Sequence, residues 1–84
     1  MIGPRRFDLL GDRIEAVFAT AKIAARVHGG TTSRHSVVFV VTFEPGHSLR
    51  QLMACKDDIQ LSLGHQVLIH HAPYVRIRVL GVTS

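Results

Sequence analysis

The stretch SVVFVVTF, residues 36–43, decides how the rest of the chain can fold. It is rich in β-branched residues and apolar at five successive positions, Val37 to Val41. A continuous apolar run of this kind is typical of a strand that is covered on both faces. We therefore expect a central strand of the sheet, ended by the breaker Glu44-Pro45-Gly46.

A helix is predicted before this strand. Asp12 can cap its N-terminus, and Glu15 completes a variant of the capping box. The helix runs from Arg13 to His28 and stops at Gly29-Gly30. Its apolar face is predicted from residues spaced three or four apart, namely Ile14, Val17, Ala21, Ala24 and His28.

A second helix is predicted after the strand. Ser48 and Gln51 form a Ser-x-x-Gln capping box, and Gly64 is the expected stop. The residues that can share its apolar face are Leu49, Leu52, Met53, Ile59 and Leu63.

The remaining residues predict a β-hairpin. Residues 67–71 form its first strand, and His71-Ala72-Pro73 supplies the bend. In the second strand, alternation places Val75, Ile77 and Val79 on one face and Tyr74, Arg76, Arg78 and Leu80 on the other. The element order α-β-α-β-β predicts an α+β fold with two helices packed on a small three-stranded mixed sheet. Residues 1–84 are expected to form a single small domain with residues 1–11 as a flexible N-terminal arm.

Composition excludes several classes of protein. The chain is 46% hydrophobic and 19% charged, which is the opposite of the balance that keeps a chain disordered. It contains neither a run of about 20 apolar residues nor a signal-peptide core, so membrane insertion is not expected. The only cysteine, Cys55, cannot form an internal disulfide, which favours a cytoplasmic location. The net charge of +4 favours acidic or polyanionic partners.

The second half of the chain carries a family resemblance. Glu44-Pro45-Gly46 is followed by Asp57-Asp58-Ile59-Gln60-Leu61-Ser62-Leu63 and then by Val67-Leu68-Ile69. This order resembles the domain before the motor, the alpha domain, in DNA translocases of the FtsK/SpoIIIE type, including those of conjugative elements. The chain departs from that pattern at Leu68, where the family commonly has Arg, and at residues 71–74, where Ile-Pro-Gly-Lys is usual.

The resemblance implies a non-catalytic domain that forms a homo-oligomeric ring around double-stranded DNA, next to a linked or partner ATPase motor. Such a domain would serve DNA transfer or chromosome segregation. The sequence is consistent with the non-catalytic role, since the chain contains no G-x-x-x-x-G-K-[ST] loop with which to hydrolyse ATP. No cofactor is expected.

The best candidate for phosphate contact is the row formed by Tyr74, Arg76 and Arg78. Alternation spaces these side chains about 7 Å apart along a strand. Arginine can meet a phosphate backbone, and tyrosine can stack on an exposed base. Arg50 and Lys56 on the second helix are alternates. The alternatives are that the row is a solvated strand face or that it forms ion pairs with Asp or Glu of a neighbouring subunit.

The sequence does not bring together the residues that a metal site, a catalytic thiol or a pair of catalytic carboxylates would need. His70 and His71 are adjacent on a strand and point to opposite faces, so no metal site is predicted. Cys55 has no partner base in the sequence pattern and is interpreted as structural. Asp57 and Asp58 diverge on a helix, so general acid–base catalysis is not expected.

A different class of function remains open. The chain could be a small homo-oligomeric adaptor or protein-interaction module without a nucleic-acid role. In that interpretation an exposed apolar edge at Val75–Val82 would pair with a strand of another chain.

Overall fold

In the part of the chain that the structure describes, four strands form one antiparallel sheet, which is accompanied by three helices. The computed structural model describes residues 4–46 and 49–82, with side chains from residue 9 onward. In chain order the elements are α1 (Pro4–Thr20), β1 (Ala25–His28), β2 (Ser36–Phe43), α2 (Leu49–Ala54), α3 (Lys56–Leu63), β3 (Val67–His70) and β4 (Arg76–Leu80). The sheet order is β1-β2-β4-β3, so β2 is an interior strand, as predicted.

The predicted arrangement of two helices on a three-stranded mixed sheet is wrong. Residues 25–28, assigned to the first helix, form the additional strand β1, which pairs with β2. The predicted hairpin does form, and β4 lies between β2 and β3. Because β4 separates these two strands, β2 and β3 never become the parallel neighbours that a mixed sheet would need.

The end of α1 explains the extra strand. The Ile23 N–H donates to the Phe18 carbonyl at 2.8 Å, and the Lys22 N–H donates to the Ala19 carbonyl at 3.1 Å. These two bonds are those of a Schellman motif, with Lys22 in the left-handed conformation at φ 60°. Phe18 and Ile23, which bracket the motif, are both buried. The turn therefore ends the helix at Thr20, eight residues before its predicted last residue, His28.

Replacing Lys22 with glycine is expected to stabilise the domain. A left-handed residue with a Cβ costs about 1–2 kcal/mol, while the greater freedom of an unfolded glycine returns about half of that. We therefore expect Lys22→Gly to raise the free energy of unfolding by about 0.5–1 kcal/mol in chemical denaturation. Lys22→Ala is the control that removes the charge and keeps the strain; equal stabilisation by both variants would contradict this explanation.

The start of α1 also differs from the prediction. The helix begins at Pro4, whose fixed φ and missing N–H suit the first helical position. It thus includes residues 4–11, for which the sequence predicts a flexible arm. Asp12 and Glu15 consequently lie within the helix, and the capping box predicted at Asp12 does not form.

The second predicted helix is interrupted at Cys55. The Cys55 N–H donates to the Leu52 carbonyl at 3.1 Å, which is a tighter turn than that of an α-helix. Gly64, at φ 72°, ends α3 as predicted. The cap predicted at Ser48 lies outside the described residues.

Apolar side chains of the three helices pack on one face of the sheet. From the helices the buried residues are Leu10, Ile14, Phe18, Leu52, Ile59 and Leu63, and from the strands Val37, Phe39, Val41, Val67, Ile77 and Val79. The opposite face has no helix over it within residues 4–46 and 49–82, and we call it the open face. Val38 and Val40 lie there and are only partly buried, so β2 is not covered on both faces as expected.

None of the helices that the structure describes is long and apolar enough to cross a bilayer.

The edges of the sheet are β1 and β3. The segment Val75–Val82, predicted as an exposed apolar edge, instead contains the interior strand β4, in which Ile77 and Val79 are fully buried. The alternative interpretation is therefore wrong in placing a free sheet edge at this segment.

A helix side chain binds one backbone N–H on each edge strand. The Val27 N–H of β1 donates to Glu15 Oε2 at 2.9 Å. The Val67 N–H of β3 donates to Gln60 Oε1 at 3.0 Å. Unpaired edge N–H groups are where a further strand would attach, so both bonds oppose extension of the sheet.

Removal of the Glu15 carboxylate should have two effects. Glu15→Ala leaves the partly buried Val27 N–H without its acceptor, and we expect the free energy of unfolding to fall by about 1–2 kcal/mol. Self-association, measured by light scattering, should also increase because an edge donor is exposed. Glu15→Gln keeps an oxygen acceptor and should retain most of both properties; a Gln variant as impaired as the Ala variant would contradict the proposed role of the bond.

Candidate nucleic-acid interface

Strand register places three arginines and two histidines on the open face. Arg26 of β1 lies opposite Thr42 of β2. The next row across all four strands is His28, Val40, Arg76 and His70. A third row contains Val38, Arg78 and Leu68, and Ser36 lies opposite Leu80 beyond it. Side chains directly opposite one another have Cβ atoms about 5 Å apart, so these residues form one continuous surface.

Most of the net positive charge of the protein lies on this surface. α1 contains three basic and three acidic residues, and α2 and α3 together contain two of each, so the helices carry no net formal charge. The strands contain three arginines and no acidic residue, because the remaining carboxylate, Glu44, follows β2. The open face therefore attracts anions without competition from acidic residues on the strands.

Arg76 is held in place by its neighbours. Its Nη2 donates to the Ala72 carbonyl at 2.9 Å, and its guanidinium carbon lies 5.3 Å from the centre of the Tyr74 ring. This distance is within the range of a cation–π interaction. Across the strand pair, Arg76 Nε and His70 Nε2 are buried and have no hydrogen-bond partner among the described residues.

Arg78 is anchored at the other end of the row. Its Nη1 donates to Ser36 Oγ at 3.3 Å. Ser36 is the one buried polar side chain within the described residues, and its hydroxyl lies 2.6 Å from that of Ser33. The Ser33 N–H also donates to the Ser36 carbonyl at 2.8 Å. The turn before β2 thus fixes the hydroxyl that orients Arg78.

The structure groups only some of the predicted site residues. Tyr74, Arg76 and Arg78 lie together, although Tyr74 precedes β4 and is not a strand residue. Arg50 on α2 and Lys56 on α3 belong to the helical layer and are separate from this row.

Sequence reasoning missed Arg26 and His28. Both were assigned to a helix, whereas they are exposed strand residues, with His28 Nε2 2.9 Å from Thr42 Oγ1. The available signal was the alternation of Ala25 and Val27 with Arg26 and His28 just before Gly29-Gly30.

Possible metal ligands do not gather in the described part of the chain, and the cysteine is buried. The described residues contain no group of three or more His, Cys, Asp or Glu that could hold a metal ion. Cys55 is buried, and its thiol donates to the Leu52 carbonyl at 3.3 Å. Burial raises the pKa of the Cys55 thiol, and the nearby Asp58 carboxylate raises it further. A protonated, buried thiol is a poor nucleophile.

The raised pKa of Cys55 predicts a specific loss of stability in alkali. The unfolded thiol ionises at its ordinary pKa of about 8.5, whereas the folded thiol stays protonated to higher pH. Its contribution is therefore complete below the unfolded pKa and is lost as the pH rises through the folded pKa. We expect the unfolding free energy of the wild type to fall more steeply than that of Cys55→Ala as the pH rises from the unfolded pKa to the raised folded pKa of the thiol. Parallel pH profiles for the two proteins would contradict the assignment.

Comparisons with protein-family models, with curated proteins and with solved structures find no match for this chain. The resemblance to the FtsK/SpoIIIE-type translocases therefore stays a prediction, and function has to be argued from the open face itself.

Proposed function

We propose that this domain is a non-catalytic nucleic-acid-binding module that holds a sugar–phosphate backbone on its open face. The observation that carries the proposal is the grouping of Arg26, Arg76 and Arg78 on one face of the sheet, on strands that contain no acidic residue. A nucleic-acid partner also agrees with the cytoplasmic location predicted from the single cysteine.

The chemistry of the arginines supports phosphate as the ligand. A guanidinium group can donate two parallel hydrogen bonds to phosphate oxygens, and such charge-assisted bonds are stronger than neutral ones. Arg76 and Arg78 are already oriented by Ala72, Tyr74 and Ser36, so less side-chain entropy is lost when they bind. Contacts of this kind position a backbone and carry little sequence information.

The resemblance of residues 40–80 adds a cellular context to this proposal. It would place several copies of the domain around DNA beside a linked ATPase motor, in DNA transfer or chromosome segregation. This context depends on the resemblance alone, and the binding role of the open face does not require it.

Salt dependence tests the proposed contacts. Each phosphate contact that is lost should reduce the slope of log affinity against log salt by about one. We expect Arg78→Ala to weaken binding of a labelled oligonucleotide about tenfold at low salt and to reduce that slope accordingly. Fluorescence anisotropy across a salt series measures both quantities.

Arg50→Ala is the matched control, because it removes the same charge from the helical layer. Its salt slope should equal that of the wild type. If Arg50→Ala weakens binding as much as Arg78→Ala does, net charge rather than the open face is responsible, and the proposal fails.

Self-association as an adaptor is the second candidate, and one observation favours it. Leu61 is 82% exposed and Met53 is 50% exposed, both in the helical layer. Exposed apolar side chains mark an interaction site where they form a contiguous patch. A stable dimer in light scattering that ignores nucleic acid at low salt would favour this candidate over the first.

A further inference from the structure

We infer that the nucleic acid held by the open face is single-stranded, an inference that rests on the proposed function. It departs from the duplex that the family resemblance implies. Three features of the open face support it: its width, its mixture of apolar and cationic side chains, and the position of Tyr74.

The width of the sheet disfavours entry into a duplex groove. Four strands span three gaps of about 4.8 Å, so the open face is about 14 Å wide between its outer strands. The major groove of B-form DNA is about 12 Å wide and admits a helix or a two-stranded ribbon. The arginines lie among the strands and not on a projecting element, so a duplex could only rest its outer backbone on them.

The open face alternates cationic and apolar side chains. Arg76 lies opposite Val40, and Arg78 lies between Val38 and Leu68, of which Leu68 is 43% exposed. A duplex keeps its bases stacked inside and would offer these apolar residues only sugars and phosphates. A single strand can turn its bases onto the apolar residues while its phosphates meet the arginines, which is how single strands commonly bind to proteins.

Tyr74 provides a surface for stacking at the end of the arginine row. The Arg76 guanidinium lies over the Tyr74 ring, and the side chain is still 51% exposed. A base could stack on the exposed part of the ring while its phosphate meets the adjacent Arg76. Stacking of this kind tolerates any base and is available only where bases are unpaired.

Tyr74 also makes the test direct, because the chain has one tyrosine and no tryptophan. Intrinsic fluorescence therefore reports on this site alone. The probes are labelled thymidine and uridine strands of about twelve nucleotides and a DNA hairpin with a duplex stem of about twelve base pairs, all at the same low salt. Affinity is measured from label anisotropy and stacking from quenching of Tyr74, with free tyrosine correcting for absorption by the probes.

We expect at least one single strand to bind about tenfold more tightly than the duplex and to quench Tyr74. Tyr74→Leu can still pack against Arg76 but cannot stack on a base, so it should weaken single-strand binding about tenfold and change duplex binding little. Tyr74→Phe keeps the ring and should bind like the wild type, as should Arg50→Ala. Thermal unfolding of each variant verifies that it is folded.

Equal or tighter binding of the duplex would overturn this inference and leave the proposed function standing. Loss of affinity for both probes in Tyr74→Leu would also overturn it, because the ring would then act only by supporting Arg76. If neither the single strands nor the duplex hairpin binds at low salt, the proposed function fails together with the inference.

Discussion

The architecture depends on the two hydrogen bonds that end α1 after Thr20. They end the helix and turn the chain, so that residues 25–28 are available to pair with β2. Phe18 and Ile23, on either side of the turn, are buried in the core and therefore fix the turn against the rest of the fold. If the helix continued to Gly29-Gly30, Arg26 and His28 would lie on the surface of the helix, and the sheet would lack the edge strand β1.

The fold therefore has two layers with different electrostatic character. In the helical layer the acidic and basic residues balance, and its buried side chains hold the sheet in place. In the strands the arginines have no acidic counterparts, so the charged side chains of the open face are left for an external anion. A tyrosine ring, a carbonyl and a hydroxyl orient two of those arginines without neutralising them. If the proposed function holds, the capacity to bind nucleic acid arises from this separation of the layers.

The sequence predicts the elements with strong local signals and misses those that depend on tertiary context. Residues 36–43 and the final hairpin carry clear strand patterns, and Gly64 is a clear helix stop. Strand alternation was enough to place Arg76 and Arg78 on one face. β1 was missed because the left-handed position is occupied by Lys22, which carries none of the signal of a glycine. The steps of three and four from Ile14 to His28 then continue by coincidence through the turn.

The bonds from Glu15 to β1 and from Gln60 to β3 affect how the domain behaves at high local concentration. Molecules that bind side by side on one long polymer are crowded together. Edge strands with unpaired N–H groups could then pair between molecules and extend into fibres. Because one N–H of each edge strand is already bonded within the same molecule, pairing between neighbours is opposed, and neighbours can bind side by side as independent folding units. Dense coating of a polymer is thereby compatible with reversible release.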